Sequence, residues 1–174
     1  MSTADNKQIA RRSFEEIWNQ GKASAIDELY AADHVAHGLG IPLPAGVAGM
    51  RQFVAIYRTA YPDTHFTVED QIAEGDRVVT RWTAIGTHRG ELLGIPATGK
   101  RVTVTGIAIN RIAGGKIVES WNNFDALGEL QQLGVIPAPV PSSWWVLSST
   151  GIMALESAPP AMRLNSVSGR RKAA

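Results

Sequence analysis

"HFTVEDQIAEGDRVVTRWTAIGTHRG", residues 65–90, decides the fold. Apolar and polar residues alternate along it in steps of two, the period of a half-buried β-strand. The alternation breaks once, at Gly75-Asp76, a pair suited to a hairpin turn. Residues 100–125, "KRVTVTGIAINRIAGGKIVESWNNFD", repeat the arrangement around Gly114-Gly115. The two stretches predict four long antiparallel strands rich in Val, Ile, Thr and Trp. The segment between them, "ELLGIPATGK" (91–100), reads as a loop with its own Gly and Pro.

Upstream of residue 65 the period is helical. Ala10, Phe14, Ile17 and Trp18 fall on one helix face, with Thr3 or Asp5 as the cap and Gly21 as the stop. Ser24 and Asp27 suggest a second short helix carrying Ile26, Leu29 and Tyr30. "HGLGIPLPAGVAG" (37–49) reads as a loop. Met50, Phe53, Val54 and Tyr57 then mark a third helix, ended by Pro62. Downstream, "ALGELQQLG" (126–134) reads as a short helix closed by glycine. Three helices followed by an antiparallel meander define an α+β protein, its helices on one face of a strongly curved sheet. Such a sheet encloses a cone, and a cone holds a pocket.

Composition narrows the chemistry. The 174 residues contain no cysteine, so thiolate nucleophiles, thiolate metal sites and disulfides are excluded. The net charge of +1 gives no electrostatic case for nucleic acid. No apolar run reaches membrane-spanning length, and "MSTADNKQIARRSFEE" lacks the apolar core of a secretory signal. A cytoplasmic protein with no membrane and no nucleic-acid partner is the expectation. After Pro137 the pattern changes: residues 138–174 are rich in Pro and Ser, with a basic tail at 163–174. Residues 1–137 are therefore read as the cone domain and 138–174 as an appendage, in which Trp144, Trp145, Val146 and Leu147 could form a docking strand. Val and Ile on both parities of the strands favour a homodimer.

The corner "SWNNFDALGELQQLG" (120–134) carries the most suggestive carboxylate, Asp125. By strand parity Trp121, Asn123 and Asp125 point to one face. If that face is the pocket, the carboxylate is desolvated and becomes a better base near neutral pH. Asp125 reads equally well as the N-cap of the following helix. His34 and His37, in "ADHVAHG", could supply a hydrogen bond to a developing enolate or relay a proton. His-x-x-His also raises metal binding, but without a well-spaced carboxylate partner no metal site is expected. Trp18, Phe53, Tyr57 and Trp82 are candidates for the pocket wall, and His88 for a turn or the pocket. Arg111 reads as a surface charge. No Walker loop, dinucleotide fingerprint or Ser-His-Asp order is visible.

Two stretches, "GTHRGELLGIPATGKRV" (86–102) and "GKIVESWNNFDALGELQQLG" (115–134), resemble the SnoaL-like polyketide cyclases, also described as predicted ester cyclases, of the nuclear transport factor 2-like superfamily. The resemblance spans roughly residues 7–137. It implies acid–base chemistry on a small apolar carbonyl compound, an aldol-type cyclisation or an isomerisation, without metal or cofactor. It also implies that an aspartate at the end of the last long strand, matched here by Asp125, is the acid/base. His37 would face the cone mouth, and Trp121, Asn123, His34 and His88 would contact substrate. A histidine about fourteen residues before that aspartate belongs to the pattern, and here Asn110 or Arg111 stands in its neighbourhood. The other reading is a non-catalytic domain of the same fold that binds a hydrophobic ligand or assembles as a dimer.

Overall fold

Five strands make one sheet: β1 (Tyr30–His37), β2 (His65–Glu74), β3 (Arg77–Thr87), β4 (Arg101–Ala113) and β5 (Lys116–Phe124). They come from a computed structural model that describes residues 1–137 and the backbone of residues 145–148 and 151–154. The sheet order is β1-β5-β4-β3-β2. β2 to β5 form the antiparallel meander expected from the alternation, with turns at Gly75-Asp76 and Gly114-Gly115. β1 adds a fifth strand to that meander. Tyr30 reads as the end of a helix and His37 as the start of a loop, yet the segment is a strand and pairs with β5 in parallel. Its sequence, "YAADHVAH", has no apolar alternation to reveal it. The strand owes its form to backbone pairing with a segment about 85 residues away in the chain.

Four helices pack with the sheet: α1 (Thr3–Arg12), α2 (Ala25–Leu29), α3 (Val47–Ala60) and α4 (Ala126–Leu133). The cap of α1 is Ser2, not Thr3 or Asp5. Ser2 Oγ accepts the Asp5 N–H at 3.1 Å and Asp5 returns the contact to the Ser2 N–H at 2.9 Å, a capping box. α1 runs on into a wider π-helical stretch, Ser13–Asn19, which buries Phe14, Ile17 and Trp18. α3 buries Met50, Phe53 and Val54 at helical spacing. Among the described residues, no helix is long and apolar enough to cross a membrane.

The chain divides into two units, Met1–Pro137 and Ala138–Ala174. In the second, β6 (Trp145–Ser148) and β7 (Gly151–Ala154) form an antiparallel hairpin. Trp144 and the basic tail at 163–174 lie outside the described residues.

One irregularity decides which side chains enter the cone. In the β4–β5 ladder Ile112 pairs with Ile117, and the next pair is Arg111 with Glu119, so Val118 is an extra residue on β5. A bulge of one residue turns every later side chain to the opposite face. Ile117 is fully buried, and past the bulge the inward residues are Ser120, Asn122 and Phe124. Unbroken parity from Ile117 assigned that face to Trp121, Asn123 and Asp125. The structure reverses the assignment.

Candidate active site

The concave side of the sheet, α3, α4 and the π-helical stretch enclose an apolar cavity. Aromatic rings form much of its wall. Phe66 lies 5.0 Å from Trp18 and 5.1 Å from Trp82, and Trp18 meets Phe53 edge-on at 5.9 Å. Trp82 can lie along the sheet because its partner across the ladder is Gly106, where a Cβ would fall 2.3 Å from the indole. Flat aromatic walls favour a flat, apolar guest. Among the described residues, no Lys or Arg lines the cavity.

Polar groups enter at two places. Near α4, Glu129 is buried at 4% exposure and accepts a 2.6 Å hydrogen bond from the Tyr61 hydroxyl. Burial pushes its carboxyl above the ordinary range, and the Tyr61 hydrogen bond partly opposes that. The phenols of Tyr57 and Tyr61 are raised too, first by burial and then by the neighbouring Glu129. At the other end of the strands, His34 Nε2 lies 2.8 Å from Ser120 Oγ, both buried. Burial first, and then the nearby His37, depress His34 to a pKa of about 4, so it is neutral at physiological pH. Asn110 and Asn122 complete this end.

His34, Trp18, Phe53, Tyr57 and Trp82 therefore stand on the cavity wall. The others named from sequence do not. His37 is on the outer face, stacked on Trp121 at 5.3 Å with its Nε2 3.0 Å from Glu119. In a strand, residues three apart face opposite ways, so His34 and His37 cannot grip one ion. Glu119 also takes Arg111 at 3.1 Å, and these two contacts hold its carboxyl below the usual range. His88 is fully buried behind Tyr61, ring centroids 5.2 Å apart, and its Nδ1 accepts the Thr98 N–H at 3.2 Å.

Asp125 is exposed and serves as the N-cap of α4, its Oδ1 accepting the Gly128 N–H at 2.8 Å. With Asn123 it borders a separate depression beside Arg81 and Ile107. The expectation that these two side chains share the cone pocket is thus corrected. Asp125→Ala is expected to cost about 1 kcal/mol of stability through the lost cap. Turnover should stay within about twofold of wild type. A hundredfold loss of kcat at unchanged melting temperature would return Asp125 to the catalytic role.

Sequence reasoning missed Glu129 and its pairing with Tyr61. The signal was present but weak: Glu129 lies four residues past the cap, on the inward side of α4. Its partner is 68 residues away in the chain, so only the fold joins them. Ala108 and Asn122 are cavity-facing, fourteen residues apart and direct partners in the ladder. Neither titrates.

Among the described residues, the α+β cone has an aromatic-walled chamber with one buried carboxyl, Glu129, on its wall. The chain belongs to the SnoaL-like polyketide cyclase family, whose model matches residues 8–133. It is 30% identical over 136 residues to the aklanonic acid methyl ester cyclase of Streptomyces peucetius, covering 76% of this chain and 93% of the relative. It is 29% identical over 133 residues to the nogalonic acid methyl ester cyclase of Streptomyces nogalater, covering 73% and 96%. Among solved structures, TsrD from Streptomyces laurentii superposes with a TM-score of 0.72 at 29% identity, covering 78% of this chain and 99% of that one.

Proposed function

We propose that this chain is an acid–base enzyme that closes a ring in, or isomerises, an uncharged, flat carbonyl compound held in the cone, with Glu129 as the proton carrier. The observation that carries the reading is the Glu129 carboxyl, buried against the Tyr61 hydroxyl on the wall of an otherwise aromatic cavity. A carboxyl with a raised pKa is a stronger base once ionised and a competent acid once protonated near neutral pH. Glu129 would remove a proton alpha to a carbonyl. The enolate carbon would attack an acceptor carbonyl of the same molecule, and Glu129 would return the proton to the new alkoxide. In an isomerisation the proton would return to a different carbon. Tyr61 fixes the carboxyl, and Tyr57, which also lines the cavity, would donate to the oxyanion.

Among the described residues no cation stands on the wall, which favours an uncharged guest. A free carboxylate would be desolvated without a partner and would face Glu129. The names of the two relatives specify methyl esters, and the cavity suits an ester better than an acid. With aklanonic acid methyl ester as the test substrate, product formation is expected, with kcat/KM at least about 100-fold above that for the free acid. Equal use of the two would overturn the uncharged-guest reading.

A second reading has a specific observation behind it. Because Ala108 and Asn122 occupy the cavity pair and cannot titrate, a ligand-binding domain of the same fold is the alternative. Tight binding of such esters with no turnover would select it. Exposed Val35 and Ile107 on the outer sheet face support the pairing of two copies in either case.

A further inference from the structure

The Ser120 end of the cavity is not used by chemistry at Glu129. Along β5, Ser120 and Phe124 are four residues apart, roughly 13 Å at strand rise, so the two polar ends act on different parts of a guest. At this end a buried hydroxyl lies 2.8 Å from a buried imidazole nitrogen, and the hydroxyl's residue lines the cavity. Asn110 is the direct ladder partner of Ser120, and Asn122 follows it on the same face. Both residues line the cavity; the Asn122 Nδ2 donates one N–H to the His37 carbonyl at 3.4 Å, which leaves its second N–H for a guest.

The tautomer of His34 follows from its other nitrogen. Nδ1 is buried with no hydrogen-bond partner, and the Tyr30 ring packs nearly perpendicular to the imidazole at 4.8 Å. An N–H tolerates an aromatic neighbour better than a lone pair does. With the proton on Nδ1, Nε2 is left to accept the Ser120 O–H.

We propose that Ser120 and His34 form a nucleophile–base pair that takes an acyl group from uncharged carboxylic esters entering this cavity, with the carboxamides of Asn110 and Asn122 as donors to the oxyanion. Ser120 Oγ bonds to the ester carbonyl carbon and its proton passes to His34 Nε2. The tetrahedral oxyanion collapses, the C–O bond to the alcohol portion breaks, and the departing oxygen takes the proton from Nε2. Water then attacks the acyl-serine with the same base, releasing the acid and restoring Ser120. His34 is neutral and its Nε2 is free to accept a proton, but the burial that keeps it neutral also makes it a weak base. No carboxylate is hydrogen-bonded to its Nδ1 to stabilise the imidazolium. Activated esters with good leaving groups are thus the substrate class, and the acyl-serine should accumulate.

The test does not depend on Glu129, because it reads an adduct and not ring closure. The full chain is treated with an alkyl fluorophosphonate and its peptides are mapped by mass spectrometry. One adduct, formed with loss of fluoride, is expected on Ser120. Its rate should fall at least about tenfold in His34→Gln and be unchanged in Asp125→Ala. p-Nitrophenyl acetate should give a burst of about one nitrophenolate per chain before a slow steady state. If either variant fails to fold, the mapping on wild type decides alone. An unlabelled Ser120, or labelling as fast in folded His34→Gln as in wild type, overturns the proposal.

Discussion

Glu129→Gln is expected to lower kcat for carbonyl chemistry by about 10²–10⁴-fold, the range that a positioned acid or base contributes. Gln keeps the shape and can still accept the Tyr61 hydroxyl, so the loss reports the proton and not the packing. Melting curves should show the opposite sign. Burial raises the Glu129 carboxyl above its unfolded value, so the folded state holds that proton more tightly. The resulting stabilisation is full below the unfolded value and is lost as pH rises through the folded one. Ionised Glu129 therefore costs stability above the folded value, and Gln relieves that cost. The variant should match wild type in acid and gain on it in melting temperature as pH rises, while wild-type activity climbs with pH through the raised value. A variant with unchanged kcat would leave Glu129 a structural group and sink the acid–base reading.

Gly38→Ala is the second large effect, this time on stability. Gly38 sits at φ +75°, and a Cβ there would lie 2.0 Å from the Asn122 carbonyl oxygen. That oxygen belongs to β5 backbone and cannot swing away as a side-chain tip could. Left-handed strain and the clash together should cost about 2–4 kcal/mol, measured by denaturant unfolding. Gly40 is the control, because it has φ +73° with nothing within 4 Å of its added Cβ. Gly40→Ala should lose only the conformational part, about 1 kcal/mol. Since the Asn122 side chain lines the cavity, Gly38→Ala should also weaken substrate binding, and Gly40→Ala should not. Equal losses from the two would show that the Asn122 contact is not what holds this corner.

Much of the fold was legible because it is local. Alternation over residues 65–90 and 100–125, broken at two glycine turns, specifies paired strands without reference to anything distant. The apolar spacing of Met50, Phe53 and Val54 likewise specifies one helix face. β1 was not legible, because residues 30–37 carry no alternation and become a strand only by pairing with β5. Part of the cavity wall was legible as well: Trp18, Phe53, Tyr57 and Trp82 are large apolar side chains on elements that must close a cone, and they stand on its wall.

The carboxyl was not. Asp125 has the position of a strand-end acid and the chemistry of a cap, and nothing local separates the two. One extra residue, Val118, turned β5 over and sent Trp121 and Asn123 outward while Ser120 and Asn122 went in. Sequence by itself therefore determined the elements, the α+β class and the family, since periodicity, turn chemistry and motif are properties of neighbouring residues. Only the tertiary structure decided the chemistry of the interior. Which face of β5 is buried, and which acid meets which phenol, depend on ladder register and on contacts such as Tyr61 with Glu129, 68 residues apart.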